Sequence, residues 1–308
     1  MHSRWHFFFV FAFCLSHTLS AQEDTAGFFS RSKNFNKKRV ISVFSTDAIL
    51  YTGLTIGLNE IWYKGYQQSA FHFFNDNEEW LQMDKVGHLV SSYNTGRNLI
   101  EVMKWSGLER KKAVWYGGTL GFMFLTTIEF LDGFSSQWGF SSGDFLSNSI
   151  GTALLIGQEL TFKDQRILLK FSFNQSKYYY YHPSLLGNNY FENILKDYNG
   201  QTCWASCNIA SFLKKENTFP KWLNIAFGYG AEGMIGARGN YYLIDKNGNQ
   251  IIFDRYRQYY LSLDIDLTKI KTKSSFLTGL FKAFGFVKFP SPTLELSKNG
   301  LLFKPLYF

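Results

Sequence analysis

Apolar positions recur every three or four residues from Val40 to about Leu160, and every second residue from Arg166 onward. The first spacing predicts helices over 40–62, 81–105, 113–131 and 144–160, separated by the polar stretch 67–80, by Gly107 with Arg110-Lys111-Lys112, and by the glycine- and aromatic-rich loop 132–143. The second spacing predicts strands, and it is cleanest near residue 260. There Tyr259, Leu261, Leu263, Ile265 and Leu267 share one face, and Tyr260, Ser262, Asp264, Asp266 and Thr268 the other. Asn247-Gly248 predicts a turn between paired strands, and 274–284 reads as a short amphipathic helix ahead of Pro290 and Pro292.

These elements predict an α+β fold, an N-terminal bundle of about four helices followed by a C-terminal antiparallel β-sheet or barrel. Period-2 patterning leaves two settings open for the strands. They fit a sheet or soluble barrel packed on the helices, and they fit an outer-membrane barrel with an apolar exterior. The helix over 40–62 exceeds the roughly 20 residues that a bilayer-spanning helix needs.

Ahead of the helices, His2 and Arg4, the apolar run Phe7–Leu15 and the small pair Ser20-Ala21 have the order of a secretory signal over residues 1–21. A polar leader, 22–39, follows and ends in Lys37-Lys38-Arg39. The helical domain then spans 40–165 and the β domain 166–308. Cys14 lacks the residues that normally precede a lipidated cysteine, which speaks against a lipid anchor there. Beyond the signal only Cys203 and Cys207 remain; on one strand they lie about 13 Å apart, too far for a disulfide, and are expected as free thiols.

Aromatic residues make up 19% of the chain, with 33 Phe, 18 Tyr and only 5 Pro, more aromatic surface than water alone suits. The net charge of +8 lies in the C-terminal half: residues 163–308 carry 19 Lys+Arg against 10 Asp+Glu, and residues 1–162 carry 13 against 14. The basic side chains are scattered singly through apolar strands without a nucleic-acid-binding motif. Membrane lipid or another anionic envelope surface is therefore the expected partner, and nucleic acid is not.

Candidate chemistry concentrates between Met83 and Gln158. Asp84 and His88 stand one helical turn apart, where a carboxylate orients an imidazole or both hold one metal. Glu129 and Asp132, then Asp144 and Asn148, repeat the spacing on the next two helices, so one bundle interior can receive all of them. The candidate catalytic set is His88, Asp84, Glu129, Asp132 and Asp144, with the carboxylates as bases or oxygen ligands and His88 as proton carrier. Lys85, Tyr93, Trp138 and Asn148 are the candidate binding residues. No cofactor is expected, and the metal question stays open. Asp144 also has a local explanation as a helix N-cap after Ser141-Ser142-Gly143.

Met83-Asp84-Lys85-Val86-Gly87-His88, Glu129-Phe130-Leu131-Asp132-Gly133-Phe134-Ser135, Trp138-Gly139-Phe140-Ser141 and Asp144 to Asn148 with Gly151 resemble the YfiM-type family, a domain of unknown function (2279) described as a putative periplasmic lipoprotein. The resemblance covers roughly 40–165. Lys196–Thr202 and Pro220–Leu223 are similar to blocks of longer exported members, and the sparse Asp-Lys-x-x-His, Glu, Asp-x-x-x-Asn-x-x-Gly pattern is similar to the helical VanZ-like family. Neither resemblance implies an established reaction. Together with the signal they imply an exported, membrane-associated envelope protein of the periplasm or outer membrane with a structural or binding role. The alternative is a membrane-embedded enzyme acting on a lipid or glycan through the Asp/His/Glu cluster.

Overall fold

The computed structural model describes residues 27–58, 60, 67–214, 216–244 and 248–308, so the expected signal segment and Asn247 lie outside the described residues. Helices α1 (Lys37–Leu58), α2 (Met83–Trp105), α3 (Arg110–Asp132) and α4 (Ser142–Phe162) come first. After them come β1 (Ile167–Phe173), the short helices α5 (Pro183–Leu186) and α6 (Tyr190–Lys196), β2 (Gln201–Asn208), β3 (Leu223–Glu232), β4 (Leu243–Ile244), β5 (Gln250–Ile251), β6 (Tyr256–Ile265), α7 (Ser275–Ala283), β7 (Ser291–Ser297) and β8 (Gly300–Tyr307). The fold is α+β, as the two spacings predict.

Helices α2, α3 and α4 pack on one another through glycines. A Cβ on Gly121 would stand 2.5 Å from the Gly96 nitrogen, and one on Gly117 would stand 2.5 Å from the nitrogen of Ile100. This close approach lets Val90, Tyr93, Ile100, Val114, Leu155 and Ile156 form one core, which continues into Leu169 and Cys203 of the sheet. The described part of the leader is not loose. Arg39 donates to the carbonyls of Ser30 and Trp105, and Asn36 N donates to Ser106 O, fixing residues 27–36 on the far end of α2. Lys37–Gly57 is long and apolar enough to cross a membrane by length and composition, and apart from Val43, buried against Met103 and Ala113, it is nearly all exposed.

The six long strands form one antiparallel sheet in the order β1-β2-β3-β6-β7-β8, and β4 pairs with β5 across the predicted turn. Cys203 and Cys207 share β2 as free thiols, the first buried and the second half-buried. The expected barrel does not close. Strands β1 and β8 stand at opposite ends of the order, and the outer edge of β1 is met by a short bridge: Phe171 N donates to Phe286 O, and Lys288 N to Phe171 O. The sheet curls because β3 presents Ala226, Gly228 and Gly230 inward. A Cβ on Gly228 would come 2.7 Å from the Trp204 ring, so only glycine leaves room for that indole.

Of the two faces that the alternation defines, the polar one is the buried one. Lys170, Asp264, Ser206 and Asn224 are fully buried on the concave side. Lys170 Nζ lies 2.7 Å from Asp264 Oδ2, which also accepts from Ser206 Oγ at 2.6 Å, and Asn224 Nδ2 donates to Ser206 Oγ at 2.8 Å. On the convex side one apolar row crosses every strand: Leu169, Ala205, Phe227, Leu261, Leu294 and Phe303 are successive cross-strand partners. Its first two members pack on the helices, whereas Phe227 and Phe303 are 56% and 64% exposed.

Candidate functional site

The site forms where the start of α2 meets the ends of α3 and α4. Trp80, Leu81 and Gln82 have φ of 49°, 51° and 65°, three successive left-handed residues, and this is why α2 begins at Met83 instead of Leu81. Such backbone costs about 1–2 kcal/mol per residue and persists only where surrounding contacts hold it. Here Trp80 N donates to Ala237 O at 2.7 Å, Tyr229 donates to the Leu81 carbonyl, and Arg257 reaches Gln82 Oε1 at 2.6 Å. The sheet thus sets the entry to the helix that carries Asp84, Lys85 and His88.

Lys85 is the centre of the cluster. Its Nζ lies 2.8 Å from Asp76 Oδ1, 3.2 Å from Asp84 Oδ2 and 2.9 Å from Asp144 Oδ1. Although burial opposes its charge, Asp84 and Asp144 raise its pKa above the ordinary lysine value. Asp144 does not cap α4, as its position suggests. Ser141 Oγ accepts from Asp144 N at 3.1 Å, leaving the Asp144 carboxylate to the lysine. Burial first, and Asp84 next, push Asp144 up to about 7.

His88 lies beside this knot. Its Nε2 is 3.8 Å from Asp84 Oδ1, and its Nδ1 is 3.4 Å from Glu129 Oε1 and 3.3 Å from Asn148 Oδ1. Burial opposes the Asp84 charge, yet His88, Lys85 and the phenol of Tyr198, which donates to Asp84 Oδ1 at 2.5 Å, hold its pKa below the ordinary value. Glu129 goes the other way. It is 1% exposed, and burial together with Asp144, Asp132 and Asp84 pushes it up to about 10, so it is a neutral acid at physiological pH. Among the described residues its Oε1 has no hydrogen-bond partner, and neither does Asn148 Nδ2.

A cavity of about 210 Å³ opens on these groups, lined by Asp76, Glu79, Asp84, His88, Glu129, Asp132 and Asp144 and by the aromatic walls Phe74, Trp80, Trp138 and Tyr198. The structure therefore brings Asp84, Lys85, His88, Glu129, Asp132, Trp138, Asp144 and Asn148 to one place. It does not bring Tyr93, whose ring lies in the helix–sheet core and whose hydroxyl donates to Gln165 Oε1 at 2.9 Å and to Ile167 O at 3.0 Å. Sequence reasoning missed Asp76, Glu79, Trp80 and Tyr198. Their signals were an acidic stretch ahead of α2 and the Lys196-Asp197-Tyr198 block.

Asp84, His88 and Asp144 offer ligand atoms within 4.8 Å of one another, a grouping able to hold a metal ion. The chain's own ammonium already lies against two of these carboxylates, so the donor set fits a fixed internal cation better than an exchangeable one. With an ionised carboxylate and a neutral carboxyl on either side of His88, the arrangement can hold and pass a proton.

No curated protein matches this chain, and no solved structure does. Residues 72–157, the span that contains the acidic knot and ends before the sheet, match the family described as predicted periplasmic lipoprotein (DUF2279).

Proposed function

We propose that this is an exported envelope protein that lies against lipid through the convex face of its sheet and through α1, and that it carries a proton-handling site beside that surface. The observation that carries the reading is the inversion of the sheet. Phe227, Leu261, Leu294 and Phe303 stand outward in one row, and Lys170, Asp264 and Asn224 are buried inside. In water this arrangement would forfeit about 25 cal/mol for each Å² of apolar surface left exposed, whereas lipid accepts that surface, as it does on polar-in, apolar-out membrane sheets. The family description supports the compartment. The outer membrane is the expected fraction.

The test is flotation of the purified full chain with phospholipid vesicles, alongside fractionation of inner and outer membranes. The native chain is expected to float, and a Leu261→Asp/Leu294→Asp/Phe303→Asp variant with unchanged circular dichroism is expected to stay with the soluble fraction. A native chain that is monodisperse in detergent-free buffer and does not float would end this reading.

The enzymatic alternative, chemistry on a lipid or glycan, is favoured by a different observation. Glu129, buried and lining the cavity, holds its Oε1 3.4 Å from His88 Nδ1. It predicts that His88→Ala removes an activity on envelope lipid extract while the helical circular dichroism signal is retained. Loss of fold instead would mark the pair as structural.

A further inference from the structure

The end of the molecule where α1 begins is built from two segments without an acidic residue. Residues 27–39 hold five Lys+Arg and no Asp or Glu, and residues 267–288 hold five Lys and likewise no acid. The fold brings them together from opposite ends of the chain. The rings of Phe29 and Phe276 meet edge to face with centroids 5.1 Å apart, and Ser30 Oγ lies 3.3 Å from Ser275 Oγ. Four of these cations are already engaged: Arg39 binds backbone carbonyls, Lys269 pairs with Asp164, Lys282 pairs with Glu101, and Lys288 is buried. Arg31, Lys33, Lys37, Lys38, Lys271 and Lys273 are exposed, and among the described residues they enter no ion pair.

Apolar rings stand among those charges. Phe28, Phe29, Phe35, Phe276 and Phe284 are each more than half exposed. On α7, Phe276, Leu277 and Leu280, with Phe284 just after its last residue, fall on one helical face, and none of the nine residues of α7 is buried. A helix this short is marginal in water unless its apolar face is covered. Contacts fix α7 at its two ends, Phe29 at the first turn and Arg97 and Glu101 on Lys282 at the last, and they leave that face outward.

We propose that this end is a foot for a leaflet of anionic phospholipid, in which α7 and residues 27–36 lie in the headgroup layer. Phe28, Phe276 and Phe284 then enter the upper acyl region, and Lys33, Lys271 and Lys273 meet lipid phosphates. This rests on the lipid-facing reading above and names the lipid class. Lysines interleaved with exposed aromatic and aliphatic side chains are the chemistry of an interfacial helix. Lys37 and Lys38 put the same charge at the start of α1, which is long and apolar enough to cross a bilayer. A soluble polyanion would meet the charges and leave the rings in water.

The test titrates the full chain with vesicles of phosphatidylcholine, alone or mixed with phosphatidylglycerol, and reads the floating fraction at limiting lipid in low and in high salt. The native chain is expected to partition about tenfold or more tighter onto the mixed vesicles, since each lysine at an anionic surface adds about fivefold, and high salt is expected to erase the gain. Lys271→Gln/Lys273→Gln, both exposed, is expected to lose about tenfold or more on mixed vesicles and nothing on phosphatidylcholine. Phe276→Ser/Leu280→Ser, which leaves the core untouched, is expected to weaken partitioning onto mixed vesicles as well. The control is Lys177→Gln/Lys298→Gln. Tyr178 packs on Phe253 and Lys298 pairs with Asp254, ahead of the ten-residue β6, whereas α7 follows its other end, so this variant removes two charges elsewhere and is expected to keep the gain. Equal partitioning of the native chain onto both vesicles, or the same loss in the control, would overturn the proposal. So would a full gain in Phe276→Ser/Leu280→Ser, the mark of a site for a soluble polyanion. The gain is a ratio between two vesicles, so a chain that shows it without floating on phosphatidylcholine would sink the convex-face reading alone.

Discussion

Lys85 and Asp144 are 59 residues apart in the chain and 3.0 Å apart in the fold, the ammonium donating to Asp144 Oδ2. The contact locks α2 to the start of α4, and Asp76 and Asp84 complete it from two further positions. Removing the ammonium leaves these carboxylates facing one another in a poorly hydrated place. Lys85→Met is therefore expected to cost about 3–5 kcal/mol, the price of a broken buried pair. The fall in melting temperature, followed by circular dichroism, measures it. A shift of a degree or less would show the knot to be dispensable.

Glu129 gives a pH-dependent test of the same centre. Its folded pKa of about 10 lies above the unfolded value near 4.5, so the folded chain binds the extra proton between those limits. Stability then falls as pH rises through that window, because the native state must either keep a proton that water would take or bury a charge. Glu129→Gln keeps the neutral shape without the titration. It is expected to be several kcal/mol, up to about 5, more stable than the parent at pH 8 and equal to it near pH 4. Denaturant unfolding at the two pH values reads the difference, and parallel pH profiles would refute the neutral carboxyl.

The glycines between α2 and α3 act through shape alone. Gly121 faces the backbone of Gly96, so the methyl of Gly121→Ala has nothing flexible to push aside and is expected to cost about 1–3 kcal/mol or more. Gly157→Ala, open on α4, gains up to about 1 kcal/mol from helix propensity. Opposite signs in the two melting temperatures are the expected outcome. Equal shifts would mean that the helices give way freely.

Much of this molecule is legible in its sequence because two signals in it are local. The period of apolar residues places α2, α3 and α4 within three residues of their observed bounds, and one-turn spacing places Asp84 beside His88. What is not legible depends on distance along the chain. Tyr198 reaches Asp84 across 114 residues, and the block around Tyr198 marks the residue without saying which part of the helices it meets. Lys85 was visible as a residue but not as the hub, since neighbours on a helix point about 100° apart and only its long stem lets it turn back. For the strands, alternation defines two faces without saying which is inside. The choice was made by the small inward residues of β3, which leave room for Trp204 on the buried face.

That inside face buries charged side chains, with Asp264 between two of its lysines. Lys170, Lys288 and Asp264 are all fully buried; Asp264 Oδ2 is 2.7 Å from Lys170, and Asp264 Oδ1 is 4.0 Å from Lys288. One carboxylate thus serves two ammonium groups, which makes the three replacements unequal. Asp264→Leu strands both cations and is expected to be the worst, at about 3–5 kcal/mol. Lys170→Met removes the closer cation and leaves Asp264 with Lys288, a smaller loss. Lys288→Met removes the more distant ammonium while leaving the 2.7 Å pair intact, and is expected to change stability by less than about 1 kcal/mol. Melting temperatures in detergent should rank the variants in that order. If Lys288→Met were as damaging as Asp264→Leu, the concave face would be a balanced network, and its third charge would be held by partners other than this aspartate.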